Sequence, residues 1–108
     1  MKNRNLCPCA DECLVQSALA SIGGKWKLPI ICSLSADGPS RYNELLKRVR
    51  GISNTMLSQT LKEMEAAQLV KRTEYLEVPV RVEYELTDWA MRLKPILEQL
   101  IRWSVSNQ

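Results

Sequence analysis

The feature that most restricts the fold is a change of hydrophobic period near residue 68. Before it, apolar residues recur as in amphipathic helices; after it they alternate, as in strands. Val15, Ala18, Leu19 and Ile22 stand at i, i+3, i+4 and i+7, which predicts a helix over residues 14–22, ended by Gly23-Gly24. Residues 26–36 predict a second helix with Trp26, Ile30, Ile31 and Leu34 inward and Pro29 either in its first turn or bending it. Asp37-Gly38-Pro39 is a turn, and a third helix is expected from about Arg41 to Val49, burying Tyr42, Leu45, Leu46 and Val49. Arg50-Gly51-Ile52 is a short connector. Ser53 then has N-cap chemistry for a fourth helix reaching about Gln68, with Met56, Leu57, Thr60, Leu61 and Met64 as its core face.

Val70 to Leu76 and Val80 to Leu86 read as strands, joined by Glu77-Val78-Pro79. Thr87 and Asp88 open a last helical segment, with a kink expected at Pro95. Two helices joined by a tight glycine turn predict a helix-turn-helix, and a hairpin directly behind them makes it winged. The expected fold class is therefore α+β, mostly helical: a winged helix-turn-helix with extra N- and C-terminal helices for dimerisation. At 108 residues the chain forms one domain. Residues 1–12 are an N-terminal segment and 13–108 the domain, with its core at about 25–87 and a dimerisation helix at 88–106.

Charge is unevenly spread. From Lys25 to Lys62, seven cations (Lys25, Lys27, Arg41, Lys47, Arg48, Arg50 and Lys62) face only Asp37 and Glu44, giving +5. From Glu63 onward, eight acids face six bases, giving −2. A local cationic excess suits a polyanionic partner. On a wheel of 100° per residue, Thr55, Ser58, Gln59 and Lys62 lie opposite the core face of the fourth helix, with Asn54 at its tip. Short uncharged polar side chains that donate and accept hydrogen bonds fit base edges in a major groove. Lys25, Arg41, Asn54, Thr55, Ser58, Gln59, Lys62 and Arg81 are thus the candidate DNA-binding residues. For Arg81, a cross-strand ion pair with Glu74 or Glu83 is the competing role.

Leu93, Ile96, Leu97, Leu100, Ile101 and Trp103 carry more apolar surface than one small core covers, and Val15, Leu19 and Ile22 add a second stripe. Burying both across a two-fold axis predicts a homodimer.

No apolar run approaches the roughly 18 residues that span a bilayer, and Met1-Lys2-Asn3-Arg4 leads into no apolar leader. A cytoplasmic location follows, with thiols normally reduced. Histidine is absent, so histidine-based catalysis is excluded; no phosphate-binding glycine loop is present either, and no enzyme is expected. Cys7, Cys9 and Cys13 fall within seven positions. Three readings stand: reactive thiols sensing oxidants or electrophiles, a metal site completed by Asp11, Glu12 or a second subunit, or inert thiols. No cofactor or resident metal is expected. A cysteine where a helix begins has its thiolate favoured by the helix dipole, which singles out Cys13. Cys32, in an apolar helix, is expected to be a small core residue.

Gly23-Gly24-Lys25-Trp26, Asp37-Gly38-Pro39 with Arg41-Tyr42-Asn43-Glu44-Leu45, Gly51-Ile52-Ser53 with Met56-Leu57-Ser58, Leu61-Lys62-Glu63-Met64-Glu65 and Glu77-Val78-Pro79-Val80-Arg81-Val82-Glu83-Tyr84 stand in that order. Over residues 13 to 104 the chain resembles the HxlR family, a bacterial, MarR-like group of winged helix-turn-helix transcription regulators. The resemblance implies a homodimer on double-stranded operator DNA, with the terminal helices forming its interface; a repressor is expected rather than an activator. It also implies sensing of oxidants or electrophiles through a cysteine before the first helix. By spacing to Gly23-Gly24 that cysteine is Cys13, followed here by Leu14 where relatives usually have Pro; the Cys-Pro pair occurs at Cys7-Pro8. Pro29 and Trp89-Ala90 are two further departures. A protein-interaction module or a metal-responsive regulator on the same scaffold are the alternative functions.

Overall fold

A computed structural model describes residues 13–106. The chain runs α1 (Leu14–Ile22), α2 (Lys27–Asp37), β1 (Ser40–Arg41), α3 (Tyr42–Arg48), α4 (Asn54–Ala66), β2 (Val70–Tyr75), β3 (Arg81–Leu86), α5 (Asp88–Met91) and α6 (Leu93–Val105). This is a winged helix-turn-helix.

Two elements differ from expectation. Arg41, expected to begin the third helix, forms with the preceding Ser40 a short strand opposite Glu83 and Tyr84, so the sheet has three strands in the order β1-β3-β2. The signal was too short for a sequence pattern, because only two residues pair. The last helical segment divides at Arg92 rather than bending at Pro95. Pro95 is the third residue of α6, where its missing N–H has no intrahelical acceptor to lose. Pro29 occupies the equivalent position in α2, the first of its two expected roles.

The core gathers Ile30, Ile31, Leu34, Leu45, Val49, Ile52, Leu57, Leu61, Met64, Leu69, Val70, Leu86 and Ala90. α4 supplies the deepest face, with Leu57 and Met64 fully enclosed and Thr60 at its edge. Met56, expected on that face, is 38% exposed. In the first turn of α4 it borders an open cleft with Lys25 and Trp26, beyond the elements that cover Leu57. Cys32 is likewise exposed, not a core residue. Ile31 and Leu34 occupy the inward stripe of α2, and Cys32 turns toward a cleft of about 220 Å³ shared with Leu97 and Ile101 of α6.

Helices α1 and α6 bury no residue completely. The radius of gyration, 16.3 Å, exceeds the roughly 13 Å of a compact chain near this length. The terminal helices therefore extend from the core instead of closing over it.

Both ends of α4 have local causes. The Ser53 hydroxyl accepts from the Met56 N–H at 3.1 Å. At the other end Gln68 has φ 62°, the Gln68 N–H donates to the Glu65 carbonyl (3.0 Å), and the Leu69 N–H donates to the Met64 carbonyl (2.8 Å). This pair of bonds is the Schellman arrangement, which favours glycine where Gln68 stands. Thr87 Oγ1 then donates to the Gln68 carbonyl at 2.7 Å, tying the helix end to the start of α5. Because a left-handed conformation strains a residue with a Cβ, Gln68→Gly is expected to raise stability by about 0.5–1 kcal/mol. Urea unfolding would show this as a higher midpoint at unchanged slope; a lower midpoint would contradict it.

Candidate nucleic-acid interface

The connection from α3 to α4 sets how α4 is presented. Gly51 has φ 86°, and a Cβ there would lie 3.8 Å from the Trp26 ring. Ile52 follows as a buried anchor. With Leu57, Thr60, Leu61 and Met64 held inside, Asn54, Thr55, Gln59 and Lys62 face outward and Ser58 is half-buried. Together with Tyr42 and Glu63 these residues line an open groove. Five of the eight candidate DNA-binding residues are thus brought to one helix face.

Tyr42 is half-buried, its ring packed against the core. Its hydroxyl donates across the turn to the Asn54 carbonyl at 2.8 Å and to Asn54 Oδ1 at 3.0 Å. Gln59 Nε2 lies 3.4 Å from Glu63 Oε2, a long contact between exposed side chains.

The cations divide into two groups. Arg41 is exposed at the N-cap of α3, where its backbone N–H donates to Glu44 Oε1 at 2.7 Å. Lys47, Arg50 and Lys62 are exposed, and none of their side chains makes an ion pair among the described residues. Lys25 stands over the Trp26 ring, 4.9 Å from its centroid, beside Met56 and Gln59. Arg48 is exposed but partnered. Its Nη1 donates to the Ser40 hydroxyl at 2.7 Å and lies 3.5 Å from Asp37 Oδ2, while Nη2 lies 3.8 Å from Glu44 Oε1.

Arg81 is held internally. Its guanidinium meets Glu77 at 2.9 Å and Glu83 at 3.0 Å and stacks on the Tyr75 ring at 4.0 Å. The pair with Glu83 runs along β3 between residues two apart, not across the strands as expected; Glu77 joins it from the loop, and Glu74, on the neighbouring β2, is not a partner. With two carboxylates beside it, Arg81 shapes the wing and carries little free charge outward. The wing tip is apolar instead, with Leu76, Val78 and Val80 exposed.

Of the proposed dimer residues, Val15, Leu19, Ile96, Leu100, Ile101 and Trp103 are exposed. Ile22, Leu93 and Leu97 pack partly against the core of their own chain. Cys13 is the N-cap of α1, and its Sγ accepts from the Gln16 N–H at 3.4 Å. Cys7 and Cys9 lie outside the described residues. Among the described residues, no group of three or more acidic or cysteine side chains could hold a metal ion, and no helix is long and apolar enough to cross a membrane.

A cupped helix-turn-helix whose second helix offers an uncharged polar face between cations, followed by a β-wing, defines a DNA-binding regulator. Residues 21–108 match the model of the HxlR-like helix-turn-helix family, and the chain belongs to that MarR-like family. It is 53% identical over 90 residues to an HTH-type transcriptional regulator of Halalkalibacterium halodurans, covering 83% of this chain and 80% of that one. Among solved structures it is similar to the redox regulator HypR in its oxidised form, with a TM-score of 0.77 and 40% identity over 89% of this chain and 98% of that one. The reduced transcriptional regulator YodB of Bacillus subtilis gives a TM-score of 0.77 and 34% identity, covering 91% of this chain and 90% of that one. The protein is a transcription regulator with a helix-turn-helix DNA-binding fold.

Proposed function

We propose that the protein is a cytoplasmic homodimeric repressor, without enzymatic activity, whose α4 helices read a near-palindromic operator and whose affinity responds to oxidants or electrophiles through Cys13. The observation that carries the DNA reading is the exposed face of α4, polar and uncharged from Asn54 to Gln59, with Lys25, Arg41, Lys47, Arg50 and Lys62 around it. In this reading the α4 side chains contact base edges and the cations contact phosphates. Arg81 acts through wing shape. A binding site recovered from the DNA beside the protein's own gene provides the test. Gln59→Ala is expected to cost roughly 1–3 kcal/mol on that site and little on random duplex. Arg41→Ala is expected to weaken both and to reduce the slope of log K against log salt by about 0.9. Equal losses for Gln59→Ala on the two DNAs would remove the base-reading role.

Dimerisation is supported by the exposed apolar stripes of α1 and α6, which a lone protomer leaves in water. A two-fold axis along these helices would set the two α4 helices about one DNA turn apart, roughly 34–36 Å. Ile96→Glu with Leu100→Glu changes two side chains that are 60% and 52% exposed, so the protomer core is spared. The double variant is expected to sediment as a folded monomer with only nonspecific DNA affinity. A folded wild-type monomer at micromolar concentration would overturn the dimer and the palindrome together.

The sensing role is supported by Cys13 at the start of α1, next to the proposed dimer helices, and by the likeness to HypR, described as a redox regulator. Cys7 or Cys9 is the resolving thiol in this reading. Diamide or a quinone is expected to shift operator affinity in the wild type and not in Cys13→Ser. A response in Cys13→Ser equal to wild type would exclude Cys13 as the sensor.

A further inference from the structure

We propose that Tyr42 is a positioning residue for sequence readout. Its hydroxyl holds the Asn54 amide with Oδ1 turned toward α3, so that Asn54 offers DNA only the Nδ2 donors and selects guanine. This rests on the reading of α4 as the base-contacting helix and adds which edge of one side chain is presented.

The geometry is specific. Tyr42 opens α3 and Asn54 opens α4, so the contact spans the helix-turn-helix turn. The Tyr42 ring packs against the core, which fixes where its hydroxyl lies. That hydroxyl has one proton, shared between the Asn54 carbonyl at 2.8 Å and Oδ1 at 3.0 Å. Both acceptors belong to Asn54, so the phenol sets the residue's backbone and its side-chain torsion together.

The consequence is chemical. A carboxamide carries its acceptor and its two N–H donors on opposite branches of one carbon. With Oδ1 engaged by Tyr42, Nδ2 projects away from it on an exposed residue and has no hydrogen-bond partner among the described residues. An unrestrained asparagine pairs bidentately with adenine, accepting from N6 and donating to N7. Oδ1 can accept two hydrogen bonds, but with the oxygen turned toward α3 by Tyr42 the held asparagine does not set an acceptor beside its donor as N6 and N7 of adenine require. Its two donors match N7 and O6 of guanine, which are both acceptors, whereas thymine presents only O4. Gln59 provides the contrast. Its amide touches only Glu63, at 3.4 Å and in solvent, and no buried group restrains it.

The test uses a duplex library with a randomised centre, selected separately by the wild type, Tyr42→Phe, Asn54→Ala and Asn54→Asp. The wild type should select a guanine, at one position in each half-site, that Asn54→Ala no longer demands. Tyr42→Phe keeps the ring and should remain folded at the assay temperature, with its unfolding temperature lowered by only several degrees. On the wild-type site it should bind roughly two- to tenfold more weakly, the range of one neutral hydrogen bond. At the marked position it should admit adenine. Asn54→Asp keeps the acceptor for Tyr42 and removes the donors, and should lose guanine there. If Tyr42→Phe retains affinity and strict guanine preference, the restraint is refuted while α4 remains the reader. If it weakens binding equally on selected and random DNA, Tyr42 only braces the helix and the proposal fails. If Asn54→Ala leaves the selected sequence unchanged, base reading by Asn54 itself falls.

Discussion

The left-handed turn at Gly51 is the constraint on which the interface depends. Its φ of 86° admits a residue without a Cβ and lets the chain reverse between α3 and α4 in a few residues. Ile52 drops into the core immediately afterward, and Ser53 caps α4. The rotation of α4 is then decided by burial. Leu57, Leu61 and Met64 are enclosed, so the opposite face has to meet solvent or DNA. Tyr42 fastens the same turn from the other side. A longer or looser connection would leave the helix free to roll, and hydrogen-bond readout requires side chains held in register with base edges.

Charge alone did not mark the DNA-facing residues. Arg48 and Arg81 are candidate cations like Arg41 and Lys62, yet each is paired with two carboxylates. Arg48 also satisfies the fully buried Ser40 hydroxyl, the first residue of β1. A guanidinium paired with two carboxylates contributes to shape more than to the outward field. The effective cationic rim is consequently narrower than the composition of residues 25–62 suggested, and it lies close to α4.

The terminal helices show the limit of a small core. Thirteen apolar residues fill the interior between α2, α3, α4 and the sheet. α6 is anchored by Leu93 and Leu97, leaving Ile96, Leu100, Ile101 and Trp103 outside. The cleft by Cys32 and the second cleft between α1 and α6, near Leu19, Trp89 and Ile96, both border these uncovered faces. Packing beyond one protomer is the physical remedy for such surfaces.

The order of elements was legible in the sequence because helix and strand periods are local. Capping at Ser53 and Thr87, the glycine turn and the core stripe of α4 needed only neighbours in the chain. The candidate base-reading face followed from the same wheel. Tertiary structure decided everything that depends on distant partners. Ser40–Arg41 became a strand only because Tyr84 and Glu83 lie alongside. Met56 and Cys32 left the core because the surrounding elements cover one side of each helix and not the other. Arg48 and Arg81 were paired with acids that the fold brings near. The hydrogen bond from Tyr42 to Asn54 joins residues twelve apart through a turn whose angle no periodicity encodes. Sequence patterns report what a residue prefers within a few positions; burial and pairing across the fold are settled by which surfaces meet.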